Sequence, residues 1–116
     1  MEFFDHTDDE IYALAKPIIQ SMNDAANRYD YQTFSAHFSI KMLELVSEEK
    51  FTRQMKTHIP ENGELGKFTL LGCIRRESGV TIAYRQHTTR KRGELLAQLR
   101  LDEEDGEIKV IYSGIQ

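Results

Sequence analysis

The fold is decided by residues 66–116, which read GKFTLLGCIRRESGVTIAYRQHTTRKRGELLAQLRLDEEDGEIKVIYSGIQ. Apolar and polar residues alternate along four runs of this stretch, and turns rich in glycine or charged residues separate the runs. Connections this short make neighbouring strands antiparallel, because a parallel crossover needs about a dozen residues or more. The sequence therefore predicts a four-stranded antiparallel meander.

The alternation also assigns side chains to the two faces of the predicted sheet. The face expected to meet the core is mainly aliphatic and also carries Thr88 and the candidate site residues Tyr84, Gln86 and Tyr112. The opposite face carries a basic group, Arg75, Arg85 and His87, and an apolar group, Leu71, Leu96 and Ile111. These assignments assume that the strands pair in the simplest register.

The first 63 residues predict the helices that cover the sheet. Thr7-Asp8-Asp9-Glu10 has the form of a capping box. Apolar residues then recur at helical spacing, so we expect a long helix from about Asp8 to Arg28. Pro17 lies within this helix and either kinks it or breaks it in two. Shorter helical segments are expected after three capping residues, Asp30, Ser39 and Ser47.

Composition limits the classes of function. The 116 residues are 40% hydrophobic and 29% charged, which favours a single globular domain, residues 1–116, over a disordered chain. The net charge of −4 provides no basic footprint, so nucleic-acid binding is not expected.

Export and membrane insertion are not expected either. No apolar run reaches the ~20 residues that cross a bilayer. The acidic start at Met1–Asp5 lacks the basic and apolar regions of a signal peptide. Cys73 is the single cysteine, which excludes an internal disulfide and fits a reducing compartment. We therefore expect a cytoplasmic protein, with Cys73 as a small buried residue.

One passage resembles a known superfamily. The residues NRYDYQTFS at 27–35, followed by Phe38-Ser39 and Met42, resemble the nuclear-transport-factor-2-like superfamily, in which a long helix leads into a short aromatic one. The closing DGEIKV at 105–110 is similar to the final hairpin of that superfamily. Within it, the resemblance is closest to small bacterial domains of unknown function. It implies an α+β cone in which N-terminal helices pack on a curved sheet, a pocket between the long helix and the concave face, and pairing of two copies through the sheet.

The resemblance leaves the activity open. Enzymes of the superfamily place Asp, His or Tyr in the pocket, whereas no predicted strand here brings Asp or Glu to the core face. We therefore favour a non-catalytic domain that binds a small apolar or amphipathic ligand or another protein. A homodimer formed through Leu71, Leu96 and Ile111 is expected.

Candidate site residues follow from these faces. Tyr84, Gln86 and Tyr112 can offer hydroxyl and amide groups to a ligand carbonyl, or the tyrosines can simply complete the core. His37 and His58 can act as acid–base groups, which would suit a small lyase, isomerase or cyclase that also uses Tyr84 or Tyr112. The alternative is that each histidine is partly buried and hydrogen-bonded.

Arg75, Arg85 and His87 suggest a third function, a surface that binds an anion or a protein partner. The alternative is a solvated face whose charges are paired with acids such as Glu77 and Glu94. No histidine pair has metal-binding spacing on a helix, and no dinucleotide or Walker motif is present, so we expect neither a metal nor a cofactor.

Overall fold

A computed structural model describes the whole chain, Met1–Gln116, and has an α+β architecture. After a 3₁₀ turn at Phe3–Asp5, the helices are α1 (Asp8–Asn27), α2 (Tyr31–Phe34), α3 (Ile40–Leu45) and α4 (Glu48–Asn62). The strands are β1 (Leu65–Arg76), β2 (Gly79–Thr88), β3 (Leu95–Glu104) and β4 (Glu107–Ile115). The predicted fold class, helices packed on a curved four-stranded antiparallel meander, is confirmed.

The helices begin at the predicted capping residues. Glu10 N donates to Thr7 Oγ1 at 3.1 Å, and Thr7 N donates to Glu10 Oε1 at 2.9 Å, which completes the capping box of α1. The other three caps also form, at Asp30, Ser39 and Ser47. Helix α1 runs without interruption through Pro17, so a broken helix is wrong. Pro17 and Ala13 lie on the exposed side, where water can bond the carbonyl that Pro17 leaves free. None of the helices is long and apolar enough to span a membrane.

The core lies between α1 and one face of the sheet, which we call the core face. The strands follow the order β1-β2-β3-β4, and each neighbouring pair is antiparallel. Val80 pairs with Leu101 and Ile82 with Leu99, and all four side chains are fully buried. On α1 the buried stripe that covers them is Ile11, Ala15, Ile18, Ile19 and Met22. This burial is the main stabilising contribution to the fold.

Two β-bulges change the predicted faces. In β1, Leu70 pairs with Tyr84 and Gly72 with Ala83, so Leu71 is an extra residue. In β4, Tyr112 pairs with Arg100 and Val110 with Leu101, so Ile111 is an extra residue. Because each insertion reverses the alternation beyond it, every side chain past the bulge changes face.

The predicted sheet faces of Arg75 and Tyr112 are wrong for this reason. Arg75 pairs with Val80 and lies on the core face, whereas the sequence predicted the opposite face. Tyr112 pairs with Arg100 on the outer face and is 47% exposed, whereas the sequence predicted the core face. The face predictions for β2 and β3 are confirmed, since neither central strand contains a bulge. Bulges also bend strands, which fits the curvature of the sheet.

The segment between α2 and α3 covers the edge of β4. Val110 N donates to His37 O at 2.7 Å, and Ser39 N donates to Val110 O at 3.0 Å. This short parallel bridge holds Phe38 in the core, where its ring meets Phe34 edge to face at 5.4 Å between centroids. Phe34 in turn packs on Phe51 of α4 at 4.4 Å. The aromatic cluster therefore closes one end of the core and fixes α4 against it.

Candidate functional site

A partly open cavity of about 340 Å³ lies between α1, α4 and the core face of the sheet. Its wall is mainly apolar and contains no Asp, Glu, Lys or Arg. The lining residues are Met22, Asn23, Ala26, Phe34, Gln54, Met55, His58, Leu65, Tyr84, Ser113, Gly114 and Ile115. Gln54 and Ile115 are exposed and mark the mouth of the cavity.

Helical spacing brings two sets of side chains to this cavity. Met22, Asn23 and Ala26 follow the i, i+1, i+4 pattern on α1, and Gln54, Met55 and His58 repeat it on α4. Residues with this spacing share one face of a helix. The two helices therefore each present one strip of side chains to the cavity, opposite Tyr84 of β2 and Ser113 of β4.

Tyr84 provides a free hydroxyl to the cavity. The residue lies on the core face of β2 and is only 3% exposed, and its ring packs edge to face on Phe68. Its hydroxyl makes no hydrogen bond within the protein and is not sealed from solvent. Burial raises the pKa of Tyr84, with a further contribution from Tyr12. The hydroxyl thus stays protonated at neutral pH and can donate as well as accept.

Asn23 is a site residue that the sequence predictions missed. It is 4% exposed, and its Nδ2 donates to Gln86 Oε1 at 2.9 Å. Its Oδ1 has no partner in the protein and is not sealed from solvent. The available signal was an amide inside the apolar stripe of α1, between Met22 and Ala26, because a polar residue buried there needs hydrogen-bond partners.

Gln86 bonds the lining residue Asn23 but does not itself line the cavity. It is fully buried. Its Nε2 donates to Gly66 O at 3.0 Å, to His87 O at 2.9 Å and more weakly to Lys67 O at 3.4 Å. Its Oε1 accepts from Asn23. Of the predicted ligand-binding residues, Tyr84 alone lines the cavity, since Tyr112 lies on the outer face.

Of the two candidate histidines, only His58 lines the cavity. Asn62 Nδ2 lies 3.3 Å from His58 Nδ1 and donates to His58 O at 3.2 Å, so the Asn62 amide presents its NH₂ group to the ring. Nδ1 therefore accepts, and the ring proton is assigned to Nε2, which is sealed from solvent and has no partner. Burial lowers the pKa of His58, which keeps the ring neutral at pH 7. His37 is exposed and does not line the cavity, so it is neither an acid–base group of this cavity nor the partly buried histidine of the alternative interpretation.

The predicted basic surface does not form as one group. Arg75 faces α1, where its Nη2 bonds Asp8 Oδ1 at 2.8 Å and its Nε donates to Phe3 O at 3.0 Å. The hydrogen bond from Arg75 is the main cause that lowers the pKa of Asp8. On the outer face, Arg85 Nε and His87 Nε2 lie 3.3 Å and 3.7 Å from the same carboxylate oxygen of Glu94. Arg75 thus anchors the N-terminus, and the other two residues are paired with Glu94.

Cys73 is half-buried on the core face of β1, beside the start of α1. Its backbone N–H donates to Asp8 Oδ2 at 3.2 Å. Burial, followed by the charge of Asp8, raises the pKa of the Cys73 thiol to about 11. The thiol is therefore protonated and a poor nucleophile at neutral pH. No group of three His, Cys, Asp or Glu side chains is placed to hold a metal ion.

The outer face of the sheet carries the residues expected to join two copies. Leu71 and Leu96 are 48% and 41% exposed, and Ile111 is half-buried at its bulge. The bulges add Ile74 and Tyr112 to this face. Pairing of two copies through it stays a prediction.

No protein-family model matches this chain, and no curated protein matches it. The assignment of a function therefore depends on the geometry of the cavity.

Proposed function

We propose that this chain binds a small, uncharged, mainly apolar ligand in the cavity between α1, α4 and the sheet. One observation carries the proposal. Tyr84 and Asn23 are each more than nine-tenths buried, yet each leaves one polar atom without a protein partner at the cavity. Both atoms are open to the cavity, so a ligand that displaces water from them is favoured when it replaces both hydrogen bonds, because leaving either atom unsatisfied costs about 1–3 kcal/mol.

The lining supports an uncharged ligand. It holds no Asp, Glu, Lys or Arg, and His58 is neutral at pH 7 because burial lowers its pKa. A charged molecule would lose its hydration there without gaining a counter-charge. The volume of about 340 Å³ lies at the lower end of the range for ligand pockets, roughly 300–1,000 Å³. A compact ligand of one or two rings fits this description.

An enzyme of the lyase, isomerase or cyclase type is the second candidate. The observation that favours it is that His58 and Tyr84 line the same cavity. Two features weigh against a proton-abstracting role: the pKa of Tyr84 is raised, and the hydrogen bond from Asn62 occupies Nδ1 of His58 and leaves the ring proton on Nε2, which is sealed from solvent. We therefore place binding without chemistry first.

Family, location and assembly are part of the proposal. The order of α1, the short aromatic helix and the curved meander supports membership of the nuclear-transport-factor-2-like superfamily. The single, unreactive cysteine supports a reducing, cytoplasmic setting. The exposed apolar side chains of the outer face support a homodimer.

The four methionines allow a direct test. Met22 and Met55 line the cavity, whereas Met1 and Met42 do not. Methyl NMR spectra of the full chain, titrated with indane and with oxindole, should show saturable shifts at Met22 and Met55 while Met1 and Met42 stay fixed. The variant Ser113→Phe, which fills the cavity from β4, should lose these shifts. Unchanged Met22 and Met55 signals with both probes would refute the proposal.

A further inference from the structure

A chain of hydrogen bonds runs from β1 through Gln86 to the cavity. The register of β1 shifts between Leu65 and Phe68, so the ladder with β2 is interrupted there. The carbonyls of Gly66 and Lys67 lie in this interruption, and both accept from Gln86 Nε2. Since a carbonyl can only accept, the NH₂ group of Gln86 must point to β1.

The orientation of Gln86 fixes the orientation of Asn23. With its NH₂ group used, Gln86 turns Oε1 towards α1, where Asn23 Nδ2 donates to it at 2.9 Å. Flipping either amide would bring two oxygens or two NH₂ groups together. Both side chains are at least 96% buried, so water cannot relieve such a clash. Asn23 Oδ1 is thereby held as an acceptor that faces the cavity.

We infer that the ligand donates a hydrogen bond from an uncharged N–H or O–H group to Asn23 Oδ1. This inference rests on the proposed ligand-binding function and adds the polarity of the ligand to it. Tyr84 can donate a hydrogen bond to an acceptor group on the same molecule, because its hydroxyl is protonated and has no partner in the protein. Lactams, secondary amides and hydroxy-ketones carry both groups without a charge. Simple ketones and hydrocarbons of the same size carry one group or neither.

Three bicyclic probes separate the possibilities. Oxindole has a ring N–H beside its carbonyl, 2-indanone has a CH₂ in place of the N–H, and indane has no polar group. We expect oxindole to bind the full chain about tenfold more tightly than 2-indanone, because the ketone displaces water from Asn23 Oδ1 without supplying a donor in its place. Dissociation constants from titrations followed at the Met22 and Met55 methyl groups give the ratio directly.

The outcomes distinguish the inference from the proposed function. If 2-indanone or indane binds as tightly as oxindole, the cavity is a binding site but the inferred polarity is wrong. If none of the three binds, the proposed function fails and the inference fails with it.

Two amide-to-leucine variants provide the matched test. Asn23→Leu removes the acceptor, and the ratio between oxindole and 2-indanone should fall to about one. Gln98→Leu removes an amide on the outer face of the sheet, away from the cavity, and the tenfold ratio should remain. An unchanged ratio in Asn23→Leu would overturn the inference. Should that variant fail to fold, the dissociation constants of the three probes for the natural chain test the inference by themselves.

Discussion

Replacing Gln86 by glutamate tests the hydrogen-bond chain behind the cavity. The substitution keeps the shape of the side chain and exchanges its NH₂ group for an oxygen. In the natural chain this NH₂ group donates to Gly66 O at 3.0 Å and to His87 O at 2.9 Å. In Gln86→Glu a carboxyl oxygen faces these carbonyls instead, while the bond from Asn23 can persist.

The structure sets the size of the effect. Two well-formed hydrogen bonds are lost, at about 1 kcal/mol each. Position 86 is 0% exposed, and burial of this kind can raise the pKa of a carboxyl by about three units, which costs roughly 4 kcal/mol for the ionised form. The total of about 6 kcal/mol is comparable to the whole stability of a typical domain, about 5–15 kcal/mol. At neutral pH the variant should be largely unfolded or close to it.

The pH dependence has a defined sign. The folded pKa of the introduced carboxyl is raised above its unfolded value of about 4.3, so folding favours the protonated form. The penalty is therefore smallest below about pH 4 and grows as pH rises towards the folded pKa. A protonated carboxyl can also return one donated hydrogen bond to a carbonyl of β1. The deficit relative to the natural chain should accordingly shrink on acidification.

Urea denaturation of Gln86→Glu at about pH 4 and about pH 7, followed by circular dichroism, measures both quantities. The control is Gln98→Glu on the neighbouring strand. Gln98 lies on the outer face, pairs with Ala83 and Gly114, and makes no side-chain hydrogen bond, so the change should be within about 0.5 kcal/mol. A Gln86→Glu variant within about 1 kcal/mol of the natural chain at pH 7, or a deficit that does not change with pH, would refute the reasoning.

Three further predictions concern the ends, turns and surface of the sheet. Because Arg75 lowers the pKa of Asp8, the ion pair stabilises the fold above about pH 3.8, and this contribution is lost as pH falls. The melting temperature of Asp8→Asn should therefore drop less between pH 7 and pH 3 than that of the natural chain. An equal drop in the two proteins would contradict this. Gly79 has φ +112°, and a Cβ there would collide with the backbone of β3, so Gly79→Ala should lose about 2 kcal/mol or more in urea denaturation. Gly106 has φ +81° but open space around the added Cβ, so Gly106→Ala should lose less stability than Gly79→Ala. A larger loss in Gly106→Ala would be inconsistent with the collision at Gly79. If the outer face joins two copies, light scattering should find a dimer for the natural chain and a monomer for Leu96→Asp. A natural chain that is monomeric at micromolar concentration would refute the predicted dimer.

The elements were predictable because their signals are local. Each helix cap involves residues within three positions of one another, as in Thr7 with Glu10, so the sequence contains the whole interaction. The strands and their order follow from short turns between alternating runs. The central strands β2 and β3 also kept their predicted faces, since neighbours on both sides hold them in register.

The candidate site was only partly predictable. Tyr84 and His58 were among the candidate site residues, and both line the cavity. Asn23 was missed because its partner, Gln86, is 63 residues away, and no local pattern connects them. The position of His37 could not be predicted, because its backbone carbonyl, and not its side chain, makes the contact with β4.

The sequence alone therefore determined which elements form, where the helices begin and how the strands are ordered, since turns, caps and alternation act over a few residues. The tertiary structure alone decided which way Arg75 and Tyr112 point and which amides meet at the cavity. Alternation assigns each side chain to a face of the sheet by its position along the strand, so a single extra residue at Leu71 or Ile111 moves every later side chain to the opposite face. Such a bulge reflects how the edge strands bend and pack against their neighbours, which is a property of the assembled sheet and not of the strand itself.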